Sequence, residues 1–166
     1  MRLACAVGVV AFAAASGAGA AGIRPTDIVA VDEFIDAPRA VFGRTRAAVQ
    51  RTLGAPAGVE VRAMSGARID RIEQVVELTY PGVVVVVAGE SAALWRVEVT
   101  QARWALPRGL NVGAPRSRVE EALGEPQLAT DVSALYLYSD AYPDTVEFFF
   151  RSGRVQRIEW LYAPAR

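Results

Sequence analysis

Carboxylates are the side chains with which this sequence could carry out acid or base chemistry. Its 166 residues include no histidine and no lysine, and its single cysteine is Cys5. Catalytic triads built on histidine, zinc sites built on imidazole or thiolate, and Schiff-base chemistry therefore lack their central residue. Asp140 and Asp144 share a loop without the spacing of an EF-hand, and Glu120 and Glu121 fit the solvated side of a helix. We expect a protein that is not an enzyme and that holds no metal and no cofactor.

Two segments of the chain alternate charged and apolar residues in the same order. Arg96 and Glu98 are two residues apart in the first segment, and Arg157 and Glu159 are two apart in the second. A period of two predicts half-buried strands with one polar face. We therefore expect these four charged residues on the open face of a sheet. The alternate residues, expected under the helices, are Val97, Val99, Ile158 and Trp160.

Apolar side chains are expected beside these charges. Alternation points Leu135 and Leu137 outward in one strand. It does the same for Glu147, Phe149 and Arg151 in the next. An exposed apolar patch with a charged rim is typical of a protein interface, although a second sheet or the N-terminal segment could cover it instead. The predicted partner-binding residues are Arg96, Glu98, Leu135, Leu137, Glu147, Phe149, Arg151, Arg157 and Glu159.

One motif occurs twice at a constant distance of 70 residues. Residues 43–56 and 113–126 share glycine, arginine, valine, leucine, glycine and proline at the same positions. Valine and leucine four residues apart lie on one face of a helix, so each motif predicts a helix of about two turns. Thr45 is a suitable N-cap, and Pro115 suits the first turn of the second helix. The glycine after each leucine fits the left-handed position that ends a helix.

Three strands are expected after each helix. They cover residues 74–80, 83–88 and 94–101 in the first copy, and residues 135–138, 145–150 and 155–161 in the second. This pattern predicts an α+β fold, a tandem repeat of a helix followed by three antiparallel strands, with the helices on one face of a sheet. The repeat units are 41–104 and 111–163. Residues 57–74 are an insert that we expect to be a loop or an extra helical turn, and residues 21–40 could hold a short helix or a strand.

The N-terminus has the features of an export signal. A positive start at Arg2 precedes the apolar residues 3–15, and Ala18 and Ala20 supply the small residues that signal peptidase recognises. We expect a signal peptide at residues 1–20 and a periplasmic or secreted product, although retention as a membrane anchor is the alternative. Cys5 lies at the start of the apolar stretch and not just after it, so we expect no lipid anchor. A net charge of zero without a basic run argues against a nucleic-acid partner.

The motif at residues 43–56, followed by strands, resembles the small outer-membrane assembly lipoproteins of the SmpA/OmlA (BamE-like) family. Two such units in tandem resemble the β-lactamase inhibitor protein family. The resemblance covers residues 41–104 and 111–163. It implies an exported α+β protein that binds other proteins through its sheet or loops. The chain differs from the assembly lipoproteins because it has two units and no usable anchor cysteine.

The function expected from these features is that of an exported, non-catalytic protein-binding module. Its partner would be a protein in the envelope or outside the cell, held by the open sheet face and the 57–74 loop. One alternative is a structural component of the cell envelope, related to outer-membrane assembly. A second is an inhibitor of a secreted or periplasmic enzyme.

Overall fold

A computed structural model describes residues 24–66, 69–88, 92–138 and 144–163, without the side chains of residues 64–73. The expected signal peptide at residues 1–20 and the side chain of Asp140 lie outside the described residues. Within these ranges no helix is long and apolar enough to cross a membrane.

Three α-helices and eight strands make up the regular structure of the described chain, together with one 3-10 turn at Pro107–Gly109. In order they are α1 (Ile28–Val41), α2 (Arg46–Leu53), β1 (Gly58–Gly66), β2 (Ile69–Tyr80), β3 (Val83–Ala88), β4 (Ala93–Val99), α3 (Arg116–Leu123), β5 (Leu128–Ala129), β6 (Ser133–Leu137), β7 (Thr145–Arg151) and β8 (Arg154–Leu161). The strands form one sheet in the order β1-β2-β3-β4-β8-β7-β6-β5. Every neighbouring pair is antiparallel. The α+β class and the antiparallel sheet are therefore confirmed.

The structure corrects the interpretation of residues 57–74 as a loop. This segment forms β1 and the first part of β2, which pair from Gly58 opposite Thr79 to Gly66 opposite Ile69. Four strands rather than three follow each of α2 and α3, because a first strand precedes the three expected ones in both halves. The alternation of Val59, Glu60, Val61 and Arg62 is itself a strand pattern with a period of two.

Helix α1 forms most of the N-terminal segment whose structure the sequence left open. Asp27 caps it, since its carboxylate accepts a hydrogen bond from the N–H of Ala30 at 3.0 Å. The buried side of α1 carries Phe34, whose ring stacks 5.3 Å from Phe148 and 5.5 Å from Trp160. The helix thus covers β7 and β8 on the face of the sheet that holds the core.

A proline inside α1 creates the acceptor that joins this helix to the sheet. Pro38 has no N–H, so the carbonyl of Phe34, four residues earlier, lacks its usual helical donor. The indole N–H of Trp160 donates to that carbonyl at 3.0 Å. The hydroxyl of Tyr162 donates to the next carbonyl, that of Ile35, at 2.9 Å. Two buried side chains from the end of the chain therefore satisfy backbone groups of α1.

Helices α2 and α3 end in the same way. Both have eight residues, and each is followed by a glycine with positive φ, Gly54 at +83° and Gly124 at +77°. The sequence predicted a left-handed helical conformation for both glycines. Their ψ values of −157° and −159° belong instead to a more extended region that is essentially restricted to glycine. The hydroxyls of Tyr80 and Tyr136 donate to the carbonyls of Gly54 and Gly124, at 3.4 and 3.0 Å.

The starts of these helices also correspond in position. Thr45 is the N-cap of α2, as expected, and its hydroxyl accepts from the N–H of Ala48 at 3.3 Å. Pro115 stands at the equivalent N-cap position of α3 rather than in its first turn. Each N-cap residue forms a β-bridge with the last strand of its half, Thr45 with Ala93 and Pro115 with Arg154.

Gly124 alone of the two helix-ending glycines is covered by the N-terminal segment. A Cβ at Gly124 would collide with the backbone carbonyl of Pro25, whereas nothing lies within 4 Å of a Cβ at Gly54. Around this contact the N–H of Asp27 donates to Leu123 O at 2.9 Å, and the N–H of Glu125 donates to Arg24 O at 2.9 Å. The residues that lead into α1 therefore pack directly against the end of α3.

We predict that Gly124→Ala destabilises the protein more than Gly54→Ala. Backbone strain at positive φ should cost about 2 kcal/mol in each variant. The collision with Pro25 should add at least about 1 kcal/mol to the cost of Gly124→Ala. Urea denaturation followed by circular dichroism measures both free energies of unfolding. Equal losses would show that the N-terminal segment does not rest on Gly124.

We predict that the loss of stability caused by Trp160→Phe depends on whether Pro38 is present. Trp160→Phe should lower the free energy of unfolding by about 2 kcal/mol, because it leaves the buried carbonyl of Phe34 without a donor. In a Pro38→Ala background the alanine N–H can bond that carbonyl, so the same change should cost about 1 kcal/mol less. A double-mutant cycle in urea measures the coupling. Strict additivity would contradict the role assigned to Pro38.

Candidate functional site

The face of the sheet opposite the helices is the candidate site, and we call it the open face. Val97, Val99, Ile158 and Trp160 are fully buried on the helix side, as predicted. Their strand neighbours Arg96, Glu98, Arg157 and Glu159 point the other way. The core cluster includes residues of all three helices and of the connection between β4 and α3. Within the described ranges, no helix and no second sheet lies across the open face.

Four charged residues form a network at the centre of this face, where β4 pairs with β8. One guanidinium nitrogen of Arg96 contacts Glu98 Oε2 at 2.5 Å and Glu159 Oε2 at 3.1 Å. Arg157 contacts Glu98 Oε2 at 3.3 Å and Glu159 Oε2 at 3.7 Å. Each arginine thus bridges both strands. We call these four residues the Arg–Glu quartet.

Partial burial strengthens the quartet. The Glu98 side chain is 17% exposed and that of Arg96 is 27% exposed, compared with 60% and 54% for the pair of Glu60 and Arg62. Burial by itself lowers the pKa of the Arg96 guanidinium. The carboxylates of Glu159, Glu98 and Glu77 outweigh that effect, so the pKa is raised. The positive charge of Arg96 is therefore held firmly by its neighbours.

Three glutamates lie in one row across the open face. Glu98 is directly opposite Glu159, and Glu159 is directly opposite Glu147. Like charges opposite one another destabilise a sheet, and here the two arginines of the quartet compensate for the first pair. Among the described residues Glu147 has no ion pair. The row therefore leaves one carboxylate available on the β7 side.

The predicted apolar residues lie next to this carboxylate. Leu135 is opposite Glu147, and Phe149 is opposite Arg157. The guanidinium of Arg157 lies 3.8 Å from the centre of the Phe149 ring, a cation–π contact that covers part of the ring. Phe149 is half-buried rather than fully exposed, and so are Leu135 and Leu137.

The structure brings eight of the nine predicted residues together on four strands. Arg151 is apart from them, because it ends β7 opposite Arg154 at the turn into β8. Glu60 and Arg62 lie within the 57–74 segment predicted to contact a partner, but they belong to strand β1 rather than to a loop, where they form an ion pair on the same face. The strand alternation of residues 59–62 was the signal that could have identified them.

Side chains that could bind a metal ion are scattered among the described residues. No group of three or more aspartates, glutamates or other ligating side chains lies close enough in the described ranges to hold a metal ion. Asp144, one of the two loop carboxylates, is engaged by Arg39 at 2.8 Å and by the N–H of Ala163 at 2.7 Å. These bonds fix the end of the β6–β7 connection to α1 and to the residues after β8.

Comparisons with known proteins give only distant likenesses. No protein-family model and no curated protein matches the chain. The uncharacterized protein yfeY from Escherichia coli aligns with 15% identity and a TM-score of 0.43, over 70% of this chain and 87% of that one. A cysteine-rich secretory protein from Staphylococcus aureus aligns with 9% identity and a TM-score of 0.39, over 84% of this chain and 47% of that one.

A candidate β-lactamase inhibitor protein from Streptococcus mutans aligns with 14% identity and a TM-score of 0.29, over 73% of this chain and 84% of that one. Likenesses of this size carry no information about function.

We predict that Glu98→Gln weakens the fold while Glu147→Gln does not. Loss of the Glu98 charge removes a partner from both arginines, so the free energy of unfolding should fall by about 1 kcal/mol at low salt. Glu147→Gln relieves repulsion with Glu159 and should leave stability equal or raise it by about 0.5 kcal/mol. Urea denaturation in 0.05 and 1 M NaCl tests this, because screening should reduce the first effect. Identical behaviour of the two variants would disprove the quartet.

Proposed function

We propose that this chain is an exported, non-catalytic module that binds a partner protein on its open face. The observation that carries the proposal is an eight-stranded sheet with one face left uncovered by every described element. A sheet of this size normally buries both faces or keeps the second one uniformly polar. Here the uncovered face combines Phe149, Leu135 and Leu137 with a central group of charges.

The arrangement of the quartet supports protein binding. Its side chains are already held by cross-strand ion pairs, so a partner that covers them loses little additional side-chain entropy. Arginine and aromatic residues are enriched at the centres of protein interfaces. The pair of Arg157 and Phe149 fits that description, and Glu147 can accept a basic group of the partner.

We further propose that the two halves are copies of one unit, in line with the resemblance to tandem-unit proteins. The 70-residue spacing of α2 and α3, their matching terminal glycines and the equivalent tyrosine bonds support this. The quartet would then mark the junction between copies, with Arg96 and Glu98 from the last strand of one and Arg157 and Glu159 from the last strand of the other.

Export is proposed from the N-terminal sequence alone. Arg2, the apolar residues 3–15 and the small residues Ala18 and Ala20 are the features that support it. A partner would accordingly be a protein of the envelope or the extracellular space. The absence of net charge and of any basic run in the sequence supports a protein rather than a nucleic acid.

We predict that Phe149→Asp abolishes partner capture without unfolding the chain. The ring is half-buried on the open face, so an aspartate there removes an apolar contact and places a carboxylate beside Arg157 in the centre of the interface. Crosslinking pulldown from an envelope extract measures capture, and circular dichroism measures folding. Val132→Asp is the matched control, because Val132 is 63% exposed in the β5–β6 turn.

A site-specific test uses a photo-crosslinking amino acid at position 149 or 137, with position 29 on α1 as the control. Discrete protein adducts should form from the first two positions and not from the third. Adducts from position 29 alone, or an unfolded Phe149→Asp variant, would disprove the open face as the binding site.

A further inference from the structure

The two edges of the sheet are unequal. The edge at β5 consists of two residues, Leu128 and Ala129, whereas the edge at β1 runs for nine residues from Gly58 to Gly66. An edge strand presents unpaired N–H and C=O groups to any chain that can add to it. Natural sheets blunt long edges, and a two-residue strand is one way to do so. The β1 edge is therefore the one open to strand addition.

Both sides of β1 are exposed at residues 59–62. On the helix side Val59 and Val61 are 52% and 60% exposed, among the most exposed large apolar residues of the described chain. On the open-face side the side chains of Glu60 and Arg62 are 60% and 54% exposed and pair only with each other among the ion pairs described. Apolar residues on a solvent-exposed edge strand are the feature that strand addition would explain.

The sequence of this edge is its own complement. If a second copy adds antiparallel with Val61 opposite Val61, then Glu60 of each copy lies opposite Arg62 of the other on the open face. Val59 lies opposite Ala63 on the helix side. Moving the axis to Glu60 or Arg62 would oppose like charges instead, which destabilises a strand pair. Only the register centred on Val61 therefore pairs opposite charges across the edge.

We propose that the β1 edge is a dimerisation site, at which two copies of this chain join their sheets antiparallel about a two-fold axis at Val61. Side-chain alternation then keeps the helices of both copies on the same side. The two open faces become continuous across the junction. An isologous contact of this kind closes after two subunits, so it ends in a dimer rather than a fibre.

The chain already contains one junction at which arginines and glutamates form ion pairs across two antiparallel strands. At the β4–β8 junction an Arg-x-Glu strand pairs antiparallel with another, and Arg96 and Arg157 each reach a glutamate across the junction, at 3.1 and 3.3 Å. Glu60 and Arg62 have the same two-residue spacing in the reverse order. The two registers differ, because Glu98 lies directly opposite Glu159 at the β4–β8 junction, whereas the proposed dimer places Glu60 directly opposite Arg62.

Sedimentation velocity of the full chain over a concentration series tests the proposal, with a charge-swap pair of variants. Glu60→Arg places two arginines opposite each other and should weaken the dimer about tenfold. Adding Arg62→Glu restores opposite charges in the swapped order and should bring the dissociation constant back near that of the unchanged chain. Val61→Lys, which places two ammonium groups at the axis, should give monomers.

Leu128→Lys at the other edge is the matched control, since Leu128 is 61% exposed and should not affect the dimer. Circular dichroism verifies that the variants fold. Monomers of the unchanged chain at all concentrations, or a charge swap that fails to restore association, would overturn the proposal. So would a dimer that responds to Leu128→Lys but not to Val61→Lys. The Phe149 experiment reads a different surface, so the two proposals can fail separately.

Discussion

The hydrogen bond from the indole of Trp160 to the carbonyl of Phe34 is the contact on which the arrangement of the molecule depends. It exists because Pro38 removes the donor that the carbonyl would otherwise have in α1. The bond fixes the helix across β7 and β8, and the stacked ring of Phe34 fills the space beneath it. With one face of the sheet covered in this way, the charged residues of β4 and β8 are directed to the other face. The open face is therefore a consequence of the packing of α1 on β7 and β8.

The sequence predicted the strands well where alternation was regular. Residues 83–88 are β3 as expected, and the faces of β4 and β8 followed from a period of two. Strand β1 was not predicted because the first copy is longer than the second between its helix and its first expected strand. The extra residues were interpreted as an insert, although they form the β1–β2 hairpin. Helix α1 stayed undecided because Pro38 lies within its apolar pattern, and only tertiary contact shows how the freed carbonyl is satisfied.

The site could be predicted residue by residue but not as a network. Alternation places Arg96 and Arg157 on a polar face, yet their partners depend on β4 lying next to β8, a pairing between strands about 60 residues apart. Nothing in the local pattern specifies that neighbour. The same limit applies to Phe149, which the sequence predicted to be exposed and which the guanidinium of Arg157 partly covers. Long-range strand order thus decides the character of the face.

The packing of α1 on β8 also affects the order in which the chain can fold. Strands β1 to β4 and β5 to β8 are joined by turns between neighbours, so most of the sheet can form from local contacts. Phe34 and Trp160, by contrast, are 126 residues apart. During synthesis α1 leaves the ribosome long before β8 exists, and a 14-residue helix is marginal without packing. Its apolar side cannot be fully covered until β8 has been made, because Phe34 stacks on Trp160, so the native core closes only when that strand arrives.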